Sequence, residues 1–228
     1  MCTFVCTLIL YMEIPKVQKT PIKYSVQLTE EQKLVKASVY EKDVNFVMGE
    51  FGTGKTLVAC LIALDFLFKK DNNIDKIIIT RPIDFNATGY LKGTIEDKMA
   101  LHIMPIKQNL YNAYNKEKID KLFQEGVIQI LPIDYMKGMT FLNAITIVDE
   151  FEDITYDDFS LILTRLGKGS KLIFTGSEEQ IDKKMINTSC IHRIKCLKHS
   201  DLVGFHTLTI NHRNENIAKI LDYIKKQS

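Results

Sequence analysis

Two clusters in this chain have the residue types and spacing of chemistry. The first is GEFGTGKT, Gly49 to Thr56, which fits G-x-x-x-x-G-K-[ST] and lies between an apolar run, VNFVM, and a helix-forming run, KTLVACLIALDFLFKK. Its glycines let the backbone turn so that N–H groups converge on phosphate oxygens, and the helix behind directs its positive end to the same place. In such a loop Gly49, Glu50, Phe51, Gly52, Thr53 and Gly54 form the cradle, Lys55 reaches the β and γ phosphates, and Thr56 ligates Mg²⁺. The second cluster closes AITIVDEFED with four carboxylates in five residues, Asp149, Glu150, Glu152 and Asp153. Like charges held close in dry surroundings oppose one another, so such a group calls for a cation, a proton to handle, or open solvent. A phosphate loop supplies the first two: Asp149, at the end of an apolar strand, would hold Mg²⁺, and Glu150 would orient or deprotonate an attacking water. For Glu152 and Asp153 the plainer expectation is a solvated loop, most of all for Asp153.

These residues need a scaffold. Short apolar runs alternate with longer segments of helical period, which predicts an α/β fold with a mainly parallel sheet covered by helices on both faces. The strands read as VNFVM, KIIIT, VIQILP, AITIVD, KLIFTG and FHTLTI, and the helices as KTLVACLIALDFLFKK, TIEDKMALHIMPIKQNLYNAYN, YDDFSLILTRL and ENIAKILDYIKKQ. Ligands of such folds bind beyond the carboxyl ends of the strands, where both clusters fall. Gly176, Ser177 and Gln180, after KLIFT, end at the same edge. Lysine is the default cation: of 30 Lys plus Arg, four are arginines, Arg81, Arg165, Arg193 and Arg213. The rigid, always-charged fork of Arg81, Arg165 and Arg213 makes each a candidate phosphate contact, with an ordinary ion pair as the alternative.

The 228 residues, 46% of them hydrophobic, suffice for one substantial core. A net charge of +2 gives no whole-molecule field for nucleic acid. Five cysteines without a CxxC pair suit a reducing, cytoplasmic setting, and the apolar opening MCTFVCTLILY is too short to span a membrane. Residues 1–20 are expected to be an extension, either an extra strand or disordered, ahead of one domain over residues 21–228. Cys190, His192, Cys196 and His199 have the residue types of a zinc site. If that segment is one α-helix, Cys190 points away from the face shared by the other three, which argues against a closed site. The neighbouring Lys183, Lys184, Arg193, Lys195 and Lys198 read as a solvated face before they read as a backbone track.

Taken together, GEFGTGKT, IITRP, GYLKGTIEDKM, LPIDYMKGMTF, AITIVDE, LTRLGKGSK and FTGSEEQID resemble the PhoH family of ATPases, over nearly the whole chain. The resemblance implies a single RecA-like P-loop NTPase domain, related to superfamily-one helicase cores. It also implies Mg²⁺-dependent ATP hydrolysis, assembly as a homo-oligomeric ring with a hexamer as one form, and a role in RNA or single-stranded nucleic-acid metabolism. On this resemblance Gln32, in LTEEQ, reads adenine and favours ATP, Gln180 touches the γ-phosphate, and Arg213, in INHRN, is the helicase arginine. Arg165 lies in the family's TRxG element, in its own or a neighbour's site. Lys55, Glu150, Arg165 and Arg213 make up the catalytic group. Two stretches depart from the family's pattern: Asp149-Glu150-Phe151-Glu152 stands where the family has Asp-Glu-Ala-Gln, and Gly176-Ser177 where it has Gly-Asp. Glu152 is expected to add repulsion near the γ-phosphate and Ser177 to remove some. An ATP-gated binding module that does not hydrolyse is therefore the alternative to an ATPase, and a small-molecule kinase ranks last.

Overall fold

Strand β1, Val44–Gly49, alternates as a two-sided strand must: Val47 joins one apolar cluster, while Phe46 and Met48 join another. Strand β4, Ala144–Val148, does the same, with Ile145 and Ile147 on the first side and Ala144 and Val148 on the second. The computed structural model describes residues 26–82 and 95–212, with single positions at 220 and 223. Within them β1 and β4 join β2 (Lys76–Thr80), β3 (Ile128–Ile130), β5 (Lys171–Gly176) and β6 (Gly204–Leu208) in a six-stranded, all-parallel sheet of order β3-β2-β4-β5-β1-β6. The proposed N-terminal extension and nearly all of ENIAKILDYIKKQ lie outside the described residues.

Among the described residues four helices pack on the first face: α1 (Glu30–Glu41), α2 (Lys55–Phe68), α3 (Ile95–Ala113) and α4 (Lys116–Gln124). Helix α2 is apolar almost all round and buries ten residues from Val58 to Phe68, as a helix pinned against the sheet centre must. The second face carries α5 (Tyr156–Leu163) and two 3₁₀ helices, Cys190–His192 and Ile194–His199. Its centre is aromatic: Phe46 stacks on Phe174 at 5.0 Å and Phe151 lies 4.9 Å from Phe174. Among the described residues helices therefore cover both faces, the second mostly by short turns.

Three differences from the sequence reading have physical causes. Helix α1 is absent from that reading, although Thr29 and Gln32 form a full capping box, a sequence-level start signal. Helix α4 is absent too; Asn115 caps it by accepting from the Lys118 N–H at 3.0 Å. Strand β6 stops at Leu208 because the next two N–H groups, of Thr209 and Ile210, go to the Glu31 carboxylate at 2.9 and 3.4 Å.

Candidate functional site

The loop from Gly49 to Gly54 joins β1 to α2, and two of its glycines are dictated by geometry. Gly49 has φ 153°, and a Cβ there would stand 2.5 Å from the Leu208 carbonyl oxygen of β6 and 3.0 Å from Thr53 Oγ1. Gly54, at the N-cap of α2, is left-handed at φ 80° and brings no side-chain cap to the helix start. The positive end of α2 is thus kept clear of a capping side-chain oxygen, as an anion site requires. Lys55 curls back over the loop, donating to the carbonyls of Gly49 at 2.8 Å and Glu50 at 2.9 Å. Thr53 is buried and donates to the Glu50 carbonyl at 2.9 Å; Glu50 is exposed and Phe51 and Gly52 are half-buried.

The loop is also strapped from outside. Past β6 the chain turns across it: the His212 N–H donates to the Gly52 carbonyl at 2.9 Å and Asn211 Nδ2 to the Phe51 carbonyl at 3.2 Å. From α1, Gln32 is buried with its amide NH₂ toward the Thr53 carbonyl at 3.5 Å and His212 Nε2 at 3.4 Å, while its oxygen accepts from the Thr29 N–H. Glu31 binds the same segment through the Thr209 hydroxyl and N–H, and these bonds hold its carboxyl below its usual range. The sequence reading finds Gln32 but not Glu31, Asn211 or His212. Asn211 and His212 lie within INHRN and Glu31 beside Gln32 in LTEEQ, but most of these contacts involve backbone groups, which no residue type announces.

Strand β5 lies between β1 and β4, so the carboxylate must reach across it to meet the loop. Asp149 does so: it is buried and accepts from Thr56 Oγ1 and Thr175 Oγ1, each at 2.7 Å, while its backbone N–H donates to the Thr80 carbonyl at 2.8 Å. Thr175, on β5, is not among the residues singled out from sequence. The Thr56 hydroxyl and the Asp149 carboxylate are hard oxygen donors already in contact, a set that fits Mg²⁺. Glu150 follows in the left-handed conformation, φ 53° and ψ 48°, a geometry costing roughly 1–2 kcal/mol for a residue with a Cβ. That strained turn swings its carboxylate away from the core to an ion pair with Arg81, which follows β2 and is mostly buried. Burial pushes the Glu150 carboxyl up, Arg81 pulls it down, and the net direction is upward. Arg81 thus meets a carboxylate. Beside this pair a cavity of about 370 Å³ is lined by Asp134, Asp153, Asp158, Asp182 and Lys184 as well as Glu150 and Arg81. With carboxylates outnumbering cations it disfavours a polyanion and leaves room for water beside Glu150.

The expectation of a solvated loop fails at Glu152. Phe151 is fully buried in the aromatic core, and the 3₁₀ turn Phe151–Asp153 that it anchors carries Glu152 inward, to 4% exposure. Its Oε2 has no hydrogen-bond partner and lies so close over Gly176 that a Cβ there would meet it at 2.6 Å. Burial pushes this carboxyl up to about 7, against the backbone N–H groups of Glu152 and Ser177. Ser177 is itself buried. Asp153 is half-buried, and its Oδ1 accepts from the Asp182 N–H at 2.8 Å, so it braces a turn.

Other expected residues are not gathered here. Arg165 stands at the amino ends of β4 and β5, where its carbonyl accepts from the Phe141 N–H and its guanidinium donates to the Met139 carbonyl at 3.2 Å and to Thr164 Oγ1 at 3.3 Å. A strand of five or six residues, roughly 16–20 Å, separates it from the phosphate loop of its own chain. Gln180 is exposed on the 3₁₀ turn Glu178–Gln180 beyond β5. Arg213 lies outside the described residues. The segment with Cys190 and Cys196 is not one α-helix but two 3₁₀ helices, so the face on which His192, Cys196 and His199 would align does not form; Cys190 is buried and Cys196 exposed. Of the nearby cations, Lys195 pairs with Glu178 at 2.8 Å and Arg193 stacks over Tyr156 at 4.5 Å.

Comparison with known proteins agrees with this geometry. The model of the PhoH-like protein family matches residues 26–225. The PhoH-like protein of Bacillus subtilis (strain 168) is 34% identical over 197 residues, covering 84% of this chain and 61% of that protein. The PhoH-like protein of Synechocystis sp. is 38% identical over 147 residues, covering 64% and 44%. The chain thus spans about half the length of these relatives. Among solved structures, the large terminase from a thermophilic bacteriophage is similar, with TM-score 0.55 and 12% identity over 86% of this chain and 50% of that one. At that identity the likeness speaks to the fold, a RecA-like P-loop NTPase core. With a family match running from ahead of α1 to beyond β6, the chain belongs to the PhoH-like protein family.

Proposed function

We propose that this protein binds ATP with Mg²⁺ and hydrolyses it. The observation that carries the reading is the Thr56–Asp149–Thr175 contact: a hydroxyl in the first turn of α2 and a strand-end carboxylate two strands away meet beneath a phosphate-binding loop. Lys55, now resting on two loop carbonyls, has the reach to transfer its donors to phosphate oxygens. A Mg²⁺ ion held by Thr56 and Asp149 would neutralise phosphate charge. Gln32 sits against the loop with its NH₂ group outward from its cap, in keeping with adenine recognition. Glu150 is the general base; leaving Arg81 frees its carboxylate to take a proton from water in the adjoining cavity.

Arg165 supports assembly in this reading. Because it lies at the opposite edge of the sheet from its own loop, any contact it makes with nucleotide is with that of a neighbouring subunit, as a homo-oligomeric ring would allow. Gln180 and Arg213 complete the phosphate contacts, and RNA or single-stranded nucleic acid is the coupled partner, met outside the acidic cavity. The setting is cytoplasmic, in line with cysteine usage; among the described residues no helix is long and apolar enough to cross a membrane. The Glu150–Arg81 pair favours one second reading, an ATP-gated module in which the base stays locked and no phosphate is released.

Phosphate release from Mg²⁺–ATP, with and without single-stranded RNA, separates these. Release that Glu150→Gln lowers by roughly 10²–10⁴-fold while ATP binding persists is the expected outcome. Binding without release would establish the gated module, and loss of binding in the variant would sink the general-base role.

A further inference from the structure

Among the four carboxylates of the acidic turn, Glu152 alone has an oxygen that is buried and without a partner. We propose that Glu152 is a positioning residue that works as the neutral acid, so that filling the phosphate site draws one proton from solvent onto its carboxyl and turns an acceptor into a hydrogen-bond donor. The proposal rests on the phosphate-site reading above and concerns how that site is regulated.

The geometry comes first. Glu152 is fixed from three sides: Phe151 beneath it in the aromatic core, the Ser189 hydroxyl donating to its backbone carbonyl, and β5 ending under its carboxyl at Gly176 and Ser177. A Cβ at position 176 would stand 2.6 Å from Oε2 and 3.3 Å from the Glu152 backbone nitrogen, so the carboxyl rests directly on this glycine. An ionised carboxylate in this place has acceptors only, and one of them is stranded; the acid has an O–H to give. Among the described residues the charged groups that act on it include Lys55 from the start of α2 and Asp153 from its own turn, while β5 offers no charge at Gly176 or Ser177. The backbone N–H groups of Glu152 and Ser177 favour ionisation and stay in place; Lys55 favours it too, and it is also the phosphate lysine. A polyphosphate that engages Lys55 removes that help and adds negative charge nearby, and both changes favour the protonated form. Burial has already brought the ligand-free carboxyl to about 7, so the remaining displacement falls within the physiological range. Glutamate then does at this position what a neutral amide does without titrating, at the price of a pH dependence.

Calorimetric titration of the protein with Mg²⁺ and β,γ-imido-ATP, in pairs of buffers that differ in ionisation enthalpy, reads the proton directly. We expect uptake approaching about one proton per site at pH 8, falling toward zero at pH 6 where the acid is already formed, and absent at both in Glu152→Gln. The glutamine variant should match the unaltered protein's affinity within a few-fold at pH 6 and lose its pH dependence. Uptake that is missing at pH 8, or that persists in Glu152→Gln, overturns the proposal, as does a tenfold or larger loss of affinity in that variant. If neither protein binds the analogue, the phosphate-site reading itself falls and takes the inference with it. A protonated-carboxyl infrared band in the ligand-free protein at pH 6, absent from Glu152→Gln, is expected independently of nucleotide.

Discussion

The phosphate loop and the acidic turn face each other across β5, yet they are built in opposite ways. The loop binds through backbone, and its shape is held by glycines and by straps that end on its carbonyls. The turn acts through side chains, and its four carboxylates occupy four environments: Asp149 held by two hydroxyls, Glu150 on an arginine, Glu152 buried and unpartnered at one oxygen, Asp153 bracing a backbone N–H. Neighbours in sequence need not share chemistry. A backbone site is defined by what must be absent, a Cβ, whereas a side-chain site is defined by what each group is made to touch.

The contrast can be broken most sharply from the loop side. Gly49→Ala places a Cβ against the backbone of β6 at a φ that side chains avoid, and should lower stability by about 3 kcal/mol with loss of nucleotide binding, measured by urea unfolding and by titration. On the turn side the largest effect is electrostatic. Below its ordinary value of 4.5 the Glu152 carboxyl is protonated folded or unfolded, and between 4.5 and about 7 only the folded chain keeps the proton. Stability should therefore fall as pH rises through that window, by at most about 3 kcal/mol, and then level. Unfolding profiles of Glu152→Gln should lack that descent; an unchanged profile would show that the Glu152 carboxyl titrates alike in the folded and unfolded chain.

Smaller changes sharpen the picture. Thr175→Val keeps the shape of β5 and removes one donor to Asp149, which should cost roughly 1–2 kcal/mol and weaken Mg²⁺ binding about tenfold, read by metal titration of the nucleotide complex. Asn211→Ala cuts one strap and should cost about 0.5–1 kcal/mol with an affinity loss of a few-fold. An equal loss in both would mean that the straps matter as much as the carboxylate's bridge.

Much of this is legible in the chain itself. The alternation of Phe46, Val47 and Met48 makes β1 a two-sided strand, and G-x-x-x-x-G-K-T between a strand and an apolar helix marks where phosphate would go. The capping box at Thr29 and Gln32 is equally legible but easily passed over, because the same glutamine has a second reading. What sequence cannot supply is the environment of each polar group. That Thr175 reaches Asp149 depends on β5 inserting between β1 and β4, an order set by long-range pairing. That Arg165 stands a strand's length from the loop depends on α5 running back along the sheet. That Glu152 is dry while Glu150 is half-exposed depends on Phe151 finding the aromatic core between them. Residue type determines which charges a segment can carry; only the packing of distant segments decides how much water each one keeps.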